Sequence, residues 1–252
     1  MNSLIKENLT NLQQLWQLYG AKEIVHNEGT RFFGTEHWPY RHWFQSTETP
    51  IVSIPDKYIG LLNSRFDNAI LSTWHTLKAS EHFIGTTKKL LDAGWQHSFS
   101  QTGMYLPIDN KRTTVDSTIT LKEVSNHTDI NIWCNIGSQA FNYSIESHVI
   151  KSLLDKKNIT LYLMSISGKA IGAAMLLHSE NCSGVHQVGV LPNHQGKGYA
   201  KAIMLALIEE CRILGVQHLV LQASKVGLPL YKKLGFIEQF TVNNFVNEPT
   251  FI

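Results

Sequence analysis

The 252-residue sequence is short of the features that staple, span or charge a chain. It has three cysteines, Cys134, Cys182 and Cys211, widely spaced and with no Cys-x-x-Cys pair. That excludes a disulfide scaffold and a zinc ribbon, and leaves reduced, buried thiols. No run comes near the roughly 18 apolar residues of a membrane-spanning helix. The opening residues, Met1-Asn2-Ser3-Leu4-Ile5-Lys6-Glu7, lack a continuous apolar segment, so no secretion signal is expected. An excess of one charge is missing too. The formal net charge of +2 is too small to argue for a nucleic-acid partner or a membrane surface. These absences together predict a cytoplasmic protein with no nucleic-acid and no membrane partner. Its length allows one or two domains and a substantial core.

What is present gathers around Val188-Gly189-Val190-Leu191-Pro192-Asn193-His194-Gln195-Gly196-Lys197-Gly198-Tyr199-Ala200. It starts as a strand, which Pro192 ends because proline cannot donate to a sheet ladder. Two glycines then lead into a helix whose apolar residues, Ala200, Ile203, Met204, Leu207, Ile208, Cys211 and Leu214, recur every three or four positions, with Gly215 as the stop. The first turn of a helix has backbone N–H groups without partners and partial positive charge, and Gly196 and Gly198 let a ligand approach the backbone closely. A diphosphate suits that place. The loop is not a Walker loop, since the six-residue glycine spacing and the Lys-Ser/Thr pair are missing. It is not a dinucleotide fingerprint, since the third glycine is missing.

Downstream, Leu219-Val220-Leu221-Gln222-Ala223-Ser224 reads as a buried strand, followed by Gly227, Leu230-Tyr231 and Leu234-Gly235-Phe236. With the pattern Val-x-Pro-x-x-Gln-Gly-x-Gly-x-Ala, this resembles the GNAT N-acetyltransferase superfamily over residues 117–252. The family's acetyl-CoA motif is usually written Arg/Gln-x-x-Gly-x-Gly/Ala, and Gln195 to Ala200 departs in spacing from its strictest form. The resemblance implies acetyl-CoA as cosubstrate, no metal, and an amine-bearing small molecule or a peptide or protein as acceptor. It implies that Val188, Gly189 and Val190 pair with the pantetheine arm. Gln195, Gly196, Lys197, Gly198, Tyr199 and Ala200 would hold the diphosphate, and Ser224 would cap the next helix or touch the cofactor. Tyr231 occupies the position of the general acid in many relatives, and a phenol of pKa near 10 is protonated at neutral pH. His186 is the candidate base: by strict alternation it shares a face with Val188 and Val190, and an imidazole near 6.5 accepts protons at neutral pH. The strand lacks the glutamate many relatives use. That motivates a rival reading as a non-catalytic acyl-CoA-binding sensor.

Elsewhere the pattern is less specific. Residues 4–19 form an amphipathic helix with Gly20 as its stop. In Arg31 to Phe44 an aromatic and histidine-rich run reads either as a cleft wall or as a small core with a turn at Pro39. His37 and His42 stand five apart, not a metal-ligand spacing, and nothing nearby completes a site, so no metal is expected. Residues 69–74 suggest a strand. Lys89 to Trp95 echoes Leu230 to Phe236, a short helix ending in glycine and an aromatic, and Met104 to Leu106 then reads as a strand. Residues 1–112 are therefore read as an accessory or degenerate GNAT-like half without a phosphate loop, Asp109 to Thr114 as a linker, and 113–252 as the catalytic domain. That domain reads as strand, two helices (one with Ile132, Trp133, Ile136, Ala140 and Phe141 as its apolar positions, the next over 147–157), three strands, helix, strand, helix, strand. This order predicts an α/β (α+β) fold with a mixed sheet flanked by helices, the GNAT arrangement, as a tandem of two such halves if the echo is a true repeat.

Overall fold

The computed structural model describes residues 3–27, 30–46, 69–76, 81–109 and 118–247. Its N-terminal half runs α1 (Ser3–Leu18), β1 (Lys22–Asn27), β2 (Thr30–Gly34), β3 (Arg41–Ser46), β4 (Ile70–Thr76), α2 (Glu81–Asp92) and β5 (Gln96–Pro107). The C-terminal half runs β6 (Ile119–Glu123), α3 (His127–Phe141), α4 (Ser147–Lys151), β7 (Ile159–Ile166), β8 (Lys169–His178) and β9 (Ser183–Val190). It continues with a 3-10 turn (Pro192–His194), α5 (Tyr199–Ile213), β10 (His218–Ala223), α6 (Leu228–Lys233) and β11 (Ile237–Val246). The predicted order of elements is therefore present. One helix is shorter than expected: the 147–157 segment stops being helical after Lys151 and continues as turns. On α3, Ile132 is exposed and Ile130 takes the buried place. Leu214, assigned to the buried face of the following helix, is its exposed C-cap.

Among the described residues eleven strands form one sheet, in the order β1-β2-β3-β4-β11-β5-β10-β9-β8-β7-β6. The order repeats about the β11–β5 junction. On each side an antiparallel run ends in one parallel pair, β3 with β4 and β9 with β10. That pair is followed by a strand from the other half: β11 beside β4, β5 beside β10. The halves thus exchange their last strands and share one sheet. Backbone detail supports the repeat seen in the sequence. Trp95 N–H bonds to the Leu90 carbonyl at 3.0 Å and Phe236 N–H to the Tyr231 carbonyl at 3.0 Å, each after a glycine at φ +91 and φ +90. Left-handed glycine ends both helices in the same way. The expected boundary at 112/113 lies outside the described residues.

The sheet curls around α1. On that helix Trp16 packs on Trp43 of β3, ring centroids 5.1 Å apart, while the Tyr19 hydroxyl is 3.5 Å from Met175 Sδ on β8. β3 and β8 stand six places apart in the sheet, roughly 29 Å if it were flat. Two residues three apart at the end of that helix reach both only because the sheet is concave there. Buried asparagines fix the helix: Asn8 Nδ2 donates to the Met104 carbonyl (3.0 Å) and Gln239 Oε1 (2.7 Å), and Gln222 Nε2 donates to Asn8 Oδ1 (2.7 Å). Buried amides cost several kcal/mol when unpaired, so these contacts select one docking of α1. In the C-terminal half α5 covers the opposite face, where Ile203, Met204, Leu207 and Cys211 pack on Met164, Leu176 and Leu221. Among the described residues no helix is long and apolar enough to cross a membrane.

Gly103 sits at this junction, where a Cβ would meet the Phe240 ring at 2.3 Å. Gly103→Ala is expected to destabilise the fold by about 1–3 kcal/mol through overpacking. Urea unfolding measures it; an unchanged midpoint would show that the junction is loosely packed.

Candidate active site

Two strands part at the centre of the C-terminal half. β9 and β10 pair only at Ser183 with Leu219 and Gly184 with Val220. Beyond that, β10 stays with β5 as far as Ala223, opposite Thr102. β9 stays with β8, and the edge of β9 that faced β10 is left without a strand partner. A bulge accompanies the parting. Gly189 faces Ala173 and His186 faces Met175, so Gln187 and Val188 together oppose Ala174 alone. Gln187 takes φ +52. An extra residue in a left-handed conformation bends and twists the strand.

The bulge also corrects the period-two reading of this strand. Val185 lies before it and Val188 and Val190 after it, yet all three pack on the α5 side. His186 lies on the other face, where its Nε2 donates to Asn11 Oδ1 of α1 at 2.9 Å. Asn11 in turn donates to the Leu177 carbonyl (2.9 Å) and Ser179 Oγ (2.7 Å). His186 is buried and does not share a face with Val188 and Val190. Burial lowers its pKa to about 3, so the imidazole is neutral and takes no proton near pH 7. Gly189 is required by close packing, since a Cβ there would stand 2.9 Å from Ala140 Cβ.

The glycine loop opens to solvent. A methyl group added at Gly196 (φ +74) or Gly198 (φ +85) would meet nothing within 4 Å. Gly198 is the N-cap of α5 and no side chain caps that helix. Its first inward bond is Ala202 N–H to the Gly198 carbonyl, 3.0 Å, and the six amides from Gly196 to Lys201 have no acceptor among the described residues. Gln195 has a different part: its N–H bonds to the Pro192 carbonyl (3.2 Å) and its Nε2 to the Val190 carbonyl (2.9 Å). It ties the loop to the end of β9. Lys197 folds back, Nζ to the Asn193 carbonyl at 3.1 Å. Tyr199 and Ala200 begin the helix, half-buried against the core beneath it. The donor set and the open backbone fit a diphosphate.

Across the gap, Ser224 Oγ accepts from Gly227 N–H at 3.1 Å and holds the turn into α6. Tyr231 on α6 is half-buried, its ring 5.7 Å from Phe236, and its hydroxyl bonds to no described residue. Burial raises its pKa to about 12, so the phenol keeps its proton throughout the neutral range.

Residues 130–236 match the model of the acetyltransferase (GNAT) family. This segment is a GNAT acetyltransferase domain. A curated relative, glucosamine 6-phosphate N-acetyltransferase of Trypanosoma brucei brucei, is 32% identical over 77 residues, 28% of this chain and 52% of its own length. The chain thus spans about half the length of that relative. A GCN5-related N-acetyltransferase from Kribbella flavida superimposes with a TM-score of 0.66 at 13% identity, covering 92% of this chain and 91% of its own. A conserved protein of unknown function from Staphylococcus epidermidis gives 0.67 at 13% identity, covering 91% and 95%. At such identity the likeness is one of fold, and it takes in the N-terminal half as well as the GNAT domain.

The wall facing the bulge is built from residues that sequence spacing does not single out. Tyr143, after α3, donates its hydroxyl to Gln187 Oε1 at 3.1 Å. Trp38 stacks between Tyr19 (5.0 Å) and Tyr143 (6.3 Å). Glu146 Oε1 accepts from the Tyr40 hydroxyl (2.9 Å) and Trp38 N–H (3.2 Å). His37 meets Glu146 and His148, one ligand atom of each lying within 4.8 Å of the others. Residues 109 and 111 positions away come to it, which no local spacing reveals. The run is mostly core: Phe32, Phe33, Trp38 and Trp43 are buried, while Tyr40 and Arg41 are half-buried beside Glu146 and Asn244.

His186 gives a pH test. Folded, it binds a proton only near pH 3; unfolded, near 6.5. Its contribution to stability is complete above about pH 6.5 and declines as the pH falls toward 3. Between pH 7 and 5 the wild type should lose more melting temperature than His186→Gln. Parallel losses would mean that His186 titrates freely.

Proposed function

We propose that the protein is an acetyl-CoA-dependent N-acetyltransferase that moves an acetyl group onto a primary amine held on the concave side of the sheet. One observation carries this reading: an unpaired edge of β9 leads straight into six unpaired amides at the start of α5. Acetyl-CoA supplies an activated acetyl thioester. The amides of Gly196 to Lys201 would hold its diphosphate, Gln195 keeps that loop against β9, and Val188 to Val190 offer backbone groups to the pantetheine amides as an added strand would. A free N–H on this edge stabilises negative charge developing at the thioester oxygen. Tyr231 returns a proton to the departing sulfur, whose reference pKa of about 8.5 lies well below that of the phenol.

His186 is not carried forward as the base, because it is neutral, buried and bonded to Asn11. A lysine-like amine is neutral in only about one molecule in a few thousand at pH 7, so it must lose a proton on the way in. Glu146 is the carboxylate on the acceptor wall and, through water, the group suited to receive it. The absence of a side-chain base at the bulge favours a second reading, an acyl-CoA-binding sensor without turnover. Thiol release measured across a panel of amines separates the two: binding of acetyl-CoA with no release from any amine would support the sensor.

Tyr231→Phe should lower kcat by roughly 10²–10⁴-fold and leave acetyl-CoA affinity within a few-fold. Unchanged turnover would remove its acid role. Gly196→Asp should abolish acetyl-CoA binding in calorimetry, since it sets a carboxylate among the phosphate-facing amides at a positive φ. Retained affinity would move the diphosphate elsewhere.

A further inference from the structure

Arg41, the first residue of β3, is a half-buried cation without a counter-charge among the described residues. Its Nη1 donates to Asn244 Oδ1 on β11 and, at 3.4 Å, to Ser72 Oγ on β4, both neutral. Its Nε and Nη2, three of the five guanidinium donors, bond to nothing among the described residues. The side chain is only half-buried, so part of it borders open space. Desolvation lowers the Arg41 pKa to about 10, which still leaves it charged at neutral pH. No carboxylate offsets this among the described residues; the electrostatic neighbour is the Tyr143 hydroxyl.

The guanidinium is held in place. It lies 5.8 Å from the Trp16 ring and 5.3 Å from the Phe99 ring, and these faces hold its plane while Asn244 and Ser72 take one nitrogen. Its Nε–Nη2 edge is left as a planar fork, the shape that binds a carboxylate or phosphate in bidentate fashion. The fork lies next to the wall that faces the bulge: Tyr40, the preceding residue, donates its hydroxyl to Glu146, and Tyr143, whose charge Arg41 feels, bonds Gln187. A partly desolvated charge without a partner is costly to maintain, and a ligand anion reduces that cost.

We propose that Arg41 is the recognition site for an anionic group of the acceptor, so that the substrate is an amine that also carries a carboxylate or phosphate. This rests on the acetyltransferase reading for the amine, while the anion site itself stands on Arg41 alone. The fork serves both anions, and the two arms of the test tell them apart.

The test uses matched amines on the full chain: β-alanine against propylamine for the carboxylate, phosphoethanolamine against ethanolamine for the phosphate. Calorimetry with CoA comes first; failure there overturns the acetyltransferase reading and leaves this one open to the same titrations on the free protein. With CoA saturating, so that the α5 loop is filled, at least one anionic amine should bind more tightly than its uncharged counterpart and be acetylated with the higher kcat/KM. Arg41→Gln should reduce that ratio by roughly a hundredfold, as removing one partner of a buried charge pair does, and Arg41→Lys should keep part of it. If Arg41→Gln does not fold, the wild-type preference and Arg41→Lys decide. Equal binding of the members of both pairs, or a ratio unchanged by Arg41→Gln, would overturn the proposal.

Discussion

Backbone hydrogen bonding between β9 and β10 lasts for two residue pairs and then ends, and the candidate site follows from that ending. A strand edge within a sheet is normally satisfied by its neighbour, because unpaired amides and carbonyls away from water are costly. Here the bulge at Gln187 turns β9 away and exposes its edge in the middle of the sheet. The released groups point into the gap, and the next unpaired groups along the chain are the amides at the start of α5. Edge and helix terminus form one continuous line of donors and acceptors, suited to a long ligand with amides at one end and phosphates at the other.

The exchange of strands between the halves explains how such a gap is tolerated. β10 loses β9 but keeps β5 along its whole length, and β5 keeps β11. The N-terminal half therefore closes the open flank of the GNAT domain. Its first helix does the same on the concave face, where Asn11 locks His186 and Asn8 crosslinks β5, β10 and β11. A domain whose last strand lies in the other half cannot be cut from it cleanly, so the two halves form one structural unit despite the repeat.

The same interleaving assembles the proposed acceptor wall. Trp38 and Tyr40 come from one half, Tyr143 and Glu146 from the other, and they meet because the sheet curls around α1. The proposed donor side is built within one stretch of chain and the proposed acceptor side from separated ones. Their specificities can therefore change independently, the first depending on backbone geometry and the second on side chains.

Much of this architecture was legible in the residues. The order of elements, the strand-loop-helix at 183–214, the exposed glycine turn and the paired helix-glycine-aromatic endings follow from periodicity, proline and glycine chemistry, which act over a few residues. The alternation along β9 failed at one residue: a bulge arises from pairing with β8, and nothing in Val185-His186-Gln187-Val188 announces it. His186 therefore read as an open base and is a buried, neutral partner of Asn11, 175 positions away. Local sequence determined the elements and the phosphate-facing loop, because those depend on backbone preferences of neighbouring residues. Tertiary structure alone decided which faces are open, which histidine stays neutral and how Arg41 came beside Asn244, because burial and long-range contact belong to the packed sheet and not to any segment of it.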